Sequence, residues 1–252
     1  MSYGIEESAK MPKAPQLVVA LDLPSLEENL ALARIISPCP KRQNIWLKVG
    51  LRAFIRDGAK GVEMIKKTSG ARIFLDLKLY DIPNTMADAA NECANLGIDM
   101  LTIHASSGLE GMRAVMQALA KSAPDMKVMA VSALTSFDDR SFYAVYGKKV
   151  DSGVCDLSAL ASEAGVSGMV CSVLESSAIK AAHSHLLTLT PGIRPAQDQK
   201  PDDQKRTATI QEAINAGADF LVIGRPIYQA ENPQAALESA LMQIDCLQGG
   251  LQ

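Results

Sequence analysis

The stretch Ile73-Phe74-Leu75-Asp76-Leu77-Lys78-Leu79-Tyr80-Asp81-Ile82-Pro83-Asn84-Thr85 reads as a strand, a charged turn and the start of a helix. Ile73, Phe74 and Leu75 form a short apolar run of the kind buried in a parallel sheet. Pro83 suits the first position of a helix, where its missing N–H costs nothing. Asp76 and Lys78 stand two apart, so a regular strand points them to one face. Asp81 follows past the strand end. Two carboxylates around one ammonium are expensive to desolvate. α/β proteins bind ligands at the C-terminal ends of their strands, which is where these charges fall. A solvated surface ion pair is the plainer alternative, and the rest of the chain weighs against it.

Outward from this stretch the same unit recurs. Runs rich in Val, Ile and Leu fall at residues 17–23, 45–49, 72–77, 100–104, 127–133, 168–173, 186–190 and 220–223. Helical spacing fills residues 25–36, 51–67, 83–96, 108–121, 155–164, 175–182, 207–216 and 232–246. Boundary residues fit, such as Ser25 ahead of Glu28 and Gly97 after Leu96. Eight strands alternating with eight helices in 252 residues is the pattern of a TIM (β/α)8 barrel. A doubly wound α/β sheet is the rival. It usually has fewer units and a glycine-rich turn after its first strand, where this chain reads Ala20-Leu21-Asp22-Leu23-Pro24. The expected organisation is one barrel domain over residues 17–252, preceded by a polar, flexible extension over residues 1–16.

Two insertions break the rhythm, at residues 135–153 and 191–206. Long βα loops lie on the ligand-binding face of a barrel. The second insertion is polar and punctuated by Pro195 and Pro201, which suits a segment that closes over a ligand.

Bulk properties narrow the function. Hydrophobic residues make up 48%, enough for a large core, and the net charge of −3 argues against nucleic acid or an acidic membrane as partner. No apolar stretch reaches the roughly 18 residues of a membrane span. Residues 1–16 lack the apolar core of a signal peptide. The five cysteines are scattered and form no CxxC pair, as expected of free thiols in a reducing compartment. With no HExxH or paired-histidine motif, a metal centre is not expected. The reading is a soluble, cytoplasmic protein.

A barrel brings its strand ends to one mouth. Asp22, Lys48, Asp76, Lys78, Arg194 and Arg225 all fall there, although Lys48 alone would pass for a solvated lysine. The turn Ile223-Gly224-Arg225-Pro226 opens a helix N-terminus that favours anions, and Arg225 can add a bidentate phosphate contact. Its plainer reading is a surface arginine capping a turn. Pro191-Gly192-Ile193-Arg194 places a second glycine and arginine after strand seven, where barrels commonly hold phosphate. His104 is expected to be a hydrogen-bonded structural residue, His183 and His185 to face solvent, and Met112, Met116 and Met126 to pack in or near the core.

These pieces together resemble the bacterial orotidine 5′-phosphate decarboxylase family along nearly the whole chain. The resemblance rests on Val19-Ala20-Leu21-Asp22, Leu47-Lys48-Val49-Gly50, Asp76 to Thr85, His104-Ala105-Ser106, Leu134-Thr135-Ser136, Pro191-Gly192-Ile193-Arg194, Asp203-Gln204-Lys205-Arg206 and Ile223-Gly224-Arg225-Pro226. It implies a homodimer of TIM barrels with active sites at the subunit interface and no cofactor. The implied substrate is orotidine 5′-phosphate, converted to uridine 5′-phosphate (UMP) in the last step of pyrimidine nucleotide synthesis. By the same resemblance Lys78 protonates C6 of the pyrimidine, Asp76 lies against the substrate carboxylate, Asp81 comes from the partner subunit, and Lys48 completes the network. Asp22 would bind the ribose and Thr135 the base. Arg194, Gln204, Gly224 and Arg225 would hold the phosphate, with Ile82, Thr85 and Pro191 among the substrate contacts.

Two departures are local. Tyr80 stands where the family usually has histidine, and His104-Ala105-Ser106-Ser107-Gly108 where it often reads HASGG. The nearest rival is a magnesium-dependent sugar-phosphate decarboxylase or hexulose-phosphate synthase of the same superfamily, which shares Asp-x-Lys-x-x-Asp. The DIPNT continuation, Leu134-Thr135-Ser136 and Gln204 favour a nucleotide base. A catalytically silent nucleotide-binding barrel is a third reading, opposed by intact Asp76, Lys78 and Asp81.

Overall fold

The computed structural model describes residues 14–195 and 206–249, so Gln204 and most of the N-terminal extension lie outside the described residues. Eight parallel strands close into a barrel in chain order, with β1 hydrogen-bonded to both β2 and β8. They are β1 (Gln16–Ala20), β2 (Ile45–Gly50), β3 (Arg72–Leu79), β4 (Met100–His104), β5 (Lys127–Val131), β6 (Gly168–Val170), β7 (Leu187–Thr190) and β8 (Phe220–Ile223). The helices are α1 (Leu26–Ile36), α2 (Leu51–Ser69), α3 (Pro83–Asn95), α4 (Gly108–Ser122), α5 (Asp139–Tyr146), α6 (Val150–Ala164), α7 (Val173–Ala182), α8 (Ile210–Asn215), α9 (Arg225–Tyr228) and α10 (Pro233–Gly249). The expected TIM (β/α)8 fold is the one observed.

Two cores follow from the strand period of two. The larger packs the outward strand faces against the helices. The smaller fills the barrel with Val18, Ala20, Trp46, Phe74, Met100, Met129, Leu189, Phe220 and Val222. Its floor is closed by Trp46, which meets Phe220 edge-on at 5.5 Å and carries the Arg72 guanidinium 5.1 Å from its ring centre. Gln16 Oε1 accepts from Trp46 Nε1 at 2.5 Å and from Arg72 Nη1 at 3.1 Å. Gln16 therefore belongs to the barrel, as the first residue of β1. Ascending from this floor, Asp22 follows Ala20, Lys48 follows Trp46, and Asp76 follows Phe74. The inward rows thus change from apolar to charged as they reach the mouth.

Other boundaries move for local reasons. Strands one, five and six end earlier than expected because single ladder bonds replace regular pairing above them, such as Leu21 N to Lys48 O at 2.9 Å and Cys171 N to Leu189 O at 3.1 Å. The insertion at 135–153 is largely helical. Asp138 caps α5 by accepting from Ser141 N at 2.8 Å, and Gly147 ends it at φ 67°. α6 begins at Val150, its N–H bonded to Asp139 Oδ1 at 3.0 Å. A capping box at Ser25 starts α1, and at the start of α7 Glu175 accepts from Ser172 N at 2.7 Å. No helix among the described residues is long and apolar enough to cross a membrane.

Candidate active site

At the mouth, Asp76 is the centre of a small charged cluster. Its Oδ1 accepts from Lys78 Nζ at 2.8 Å, and its Oδ2 lies 3.6 Å from Lys48 Nζ. Lys48 Nζ also reaches Asp22 at 3.2 Å. Asp22, Lys48, Asp76 and Lys78 therefore form a chain of alternating sign, drawn from three strand ends. The Asp76 and Lys48 side chains are only 13% and 11% exposed, so each depends on the others for its charge. Burial pushes the Asp76 carboxyl up, but Lys48, Lys78 and the hydrogen bonds from Lys78 and Thr102 outweigh it and hold it below the ordinary aspartate value. Burial likewise pulls Lys48 down, while Asp76 and Asp22 more than restore it. Both groups stay ionised across the neutral range. Gly50 leaves room for the cluster, since a Cβ there would fall 3.0 Å from Lys48 Nζ and 3.2 Å from Asp22 Oδ1.

The local backbone departs from the regular strand that places Asp76 and Lys78 on one face. Leu75 pairs with Leu101 and Leu79 with Ile103, so three residues of β3 stand opposite Thr102 alone. The excess is taken up in a bulge where Lys78 has φ 53°, the only non-glycine residue at positive φ among the described residues. Thr102 fills the gap. Its hydroxyl accepts from Lys78 N and donates to Asp76 Oδ1, both at 2.9 Å. The two charged groups meet because the strand is broken and Thr102 bridges the break. Its signal in the sequence is a lone hydroxyl in the apolar run Met100-Leu101-Thr102-Ile103.

The cluster faces a cavity of about 510 Å³, a size suited to one small ligand. Thr135, Pro191, Arg194, Gly224 and Arg225 line it together with Asp22, Lys48, Asp76 and Lys78. Gly192 takes φ 83°, a conformation open to glycine, where the chain turns beneath this wall. Ala208 N donates to Gly192 O at 3.1 Å and Arg194 N to Ala208 O at 2.8 Å, which fixes the turn. α9 is one turn long, so its helix dipole is small, and Arg225 brings the positive charge at this part of the wall. Arg52, Cys171 and Tyr228 also line the cavity and carry no sequence signal for it. Burial holds the Cys171 thiol up at about 12, so it is inert as a nucleophile.

Asp81, Ile82 and Thr85 are not part of this cavity wall. All three are exposed, with Ile82 at 67%, and the Asp81 carboxylate accepts from Ile82 N at 2.7 Å. Nothing links Asp81 to Lys78 within the chain among the described residues. His104 differs from expectation. Its Nδ1 is buried without a hydrogen-bond partner, its ring lies 5.6 Å from that of Tyr80, and burial and Lys78 lower its pKa. His183 is half-buried and His185 exposed, while Met112 and Met126 are buried and Met116 packs against the core.

A parallel barrel whose strand ends join an alternating-charge cluster to an arginine- and glycine-lined wall defines a class: a barrel enzyme for a small anionic ligand. The chain belongs to the orotidine 5′-phosphate decarboxylase / HUMPS family, whose model matches residues 15–240. A Campylobacter jejuni (strain 81-176) orotidine 5′-phosphate decarboxylase is 50% identical over 230 residues, covering 91% of this chain and 100% of that protein. The enzyme of the same name from a Nitratiruptor species is 50% identical over 231 residues, with coverage of 91% and 100%. Among solved structures, orotidine 5′-phosphate decarboxylase from Lactobacillus acidophilus superposes with a TM-score of 0.76 at 31% identity, over 91% of this chain and 99% of that one.

Proposed function

We propose that this protein removes carbon dioxide from orotidine 5′-phosphate to give UMP, using no metal or organic cofactor. The observation that carries the reading is the Asp22–Lys48–Asp76–Lys78 cluster facing the same cavity as Arg194 and Arg225. Loss of carbon dioxide from C6 leaves an electron pair in the ring plane, outside the π system. Stabilisation must then come from a cation held at C6, and an ammonium in a preorganised site supplies it. Lys78 is that ammonium, and it delivers its proton to C6 as the carbon–carboxylate bond breaks. Asp76 lies against the leaving carboxylate, and Lys48 keeps Asp76 charged and in place. Asp22 takes the ribose, Thr135 the base, and Arg194, Arg225 and Gly224 the phosphate, with Gln204 and Pro191 adding contacts.

The phosphate takes no part in bond breaking. Its binding energy orients the pyrimidine at the distant charged end. Arg225→Ala is therefore expected to raise KM at least tenfold, with a smaller change in kcat at saturation. Losing a charge-assisted contact costs about 1.5–3 kcal/mol, or roughly 10- to 150-fold in binding. Steady-state kinetics on the nucleotide and on its phosphate-free nucleoside check this. Equal damage to both would make Arg225 structural.

A homodimer completes the reading, with Asp81, Ile82 and Thr85 serving the neighbouring site. Leu51, Ile55, Tyr80 and Ile82 are 48%, 79%, 63% and 67% exposed around the same mouth, an apolar rim that favours a partner. A magnesium-dependent reading is disfavoured because Asp76, the carboxylate such an ion would need, already holds two lysines and Thr102. The protein's place is the cytoplasm, in keeping with five unpaired thiols. The decisive experiment follows the ultraviolet absorbance of orotidine 5′-phosphate after adding EDTA-treated protein. A fall in absorbance supports the proposal. No turnover until magnesium is restored would overturn it.

A further inference from the structure

Arg206 has no role in the chemistry above, yet its side chain is buried at the mouth. It is 11% exposed and paired through Nη1 with Glu175, which is 5% exposed. Nη2 donates to the carbonyls of Ala133 and Leu134, each at 3.0 Å. Those carbonyls immediately precede Thr135. Leu134 O also accepts from Phe137 N at 2.9 Å, so Thr135 occupies a corner of a turn anchored at its first residue from two directions. Glu175 turns its second oxygen to Ser172 N at 2.7 Å, next to the cavity-lining Cys171. Two residues beyond Arg206, Ala208 holds Gly192 and Arg194 by main-chain bonds. One guanidinium thus ties together the loops after β5, β6 and β7. A buried ion pair is a weak route to stability compared with apolar packing, but a planar fork fixes geometry well.

We propose that Arg206 is a positioning residue for the decarboxylation: by clamping the Ala133 and Leu134 carbonyls it sets where Thr135 meets the pyrimidine. The proposal rests on reading Thr135 as a base contact. Glu175 holds the guanidinium in place, and Nη2 does the positioning.

Arg206→Lys separates the two functions, because one ammonium can pair with Glu175 but cannot also span both carbonyls. It is expected to lower kcat/KM roughly tenfold, the scale of losing one or two hydrogen bonds, with an unfolding temperature close to wild type. The loss should be equal for orotidine 5′-phosphate and the phosphate-free nucleoside, unlike that of Arg225→Ala. In a Thr135→Ala background it should largely disappear, since coupled residues are not additive. Glu175→Gln removes the charge but keeps an amide oxygen that can accept from Nη1, so the guanidinium stays placed and kinetics should be near normal even if the variant unfolds at lower temperature. Unchanged kinetics in Arg206→Lys, a loss confined to the nucleotide, or losses that multiply in the double variant would overturn the proposal. An inactive wild type would sink the decarboxylase reading, and an unaffected Thr135→Ala the base contact. Either failure removes the proposal too, but each shows in its own control.

Discussion

Lys78→Ala is expected to abolish turnover of orotidine 5′-phosphate, by more than about a thousandfold, while UMP still binds. The size follows from removing a preorganised charge at the atom where charge develops, and the proton donor with it. Binding survives because the cavity wall formed by Arg194 and Arg225 is built from other strand ends. The fold should survive as well. Asp76 keeps Lys48 at 3.6 Å and the Thr102 hydroxyl at 2.9 Å, so no buried carboxylate is left uncompensated. Single-turnover absorbance measurements and calorimetry with UMP give the two readouts. Near-normal turnover would remove Lys78 from the mechanism.

The second large effect is a recovery. Lys78→Ala and Asp81→Ala should each be inactive alone, yet a mixture that exchanges subunits should regain activity. If Asp81 serves the neighbour, one site of each heterodimer inherits both lesions and the other inherits neither. Random pairing makes half the dimers mixed, with one intact site each, so about a quarter of wild-type activity should return. The motive is that Asp81 is exposed and its carboxylate accepts from Ile82 N, with no bond to the Lys78 of its own chain among the described residues. Mass spectrometry of differently tagged chains establishes exchange. If exchange occurs and no activity returns, Asp81 acts within its own subunit and the shared-site model falls.

Most of the barrel was legible because parallel strands covered on both faces read as apolar runs, and β4 and β8 match the expected ranges residue for residue. The helix in the 135–153 insertion was not, because Asp138, Gly147 and Lys148-Lys149 signal turns, and α5 has only one buried residue, Phe142, to mark a periodic face. At the cavity, charged residues on apolar strand ends stand out in the sequence, and Asp22, Lys48, Asp76, Lys78, Arg194 and Arg225 all line it. Thr102 carries no comparable signal, because a single threonine is ordinary in a strand. Only the pairing of Leu75 with Leu101 and Leu79 with Ile103 shows that its hydroxyl has two partners waiting. Arg206 carries no signal of its own in the sequence, since its contacts are with residues 31 to 73 positions away.

The left-handed backbone at Lys78 bears on how this chain could be re-engineered. A side chain held at φ 53° carries strain on the order of 1–3 kcal/mol, from which glycine would be exempt. Any scheme that ranks residues by how well they suit this backbone would therefore write glycine at the position proposed to supply the ammonium. Consensus-free stabilisation of the scaffold has to hold Lys78 fixed and seek its gains elsewhere, for instance among the exposed helix positions far from β3. On the proposed mechanism, the bulge marks the point where thermostability and catalysis pull on the same residue in opposite directions.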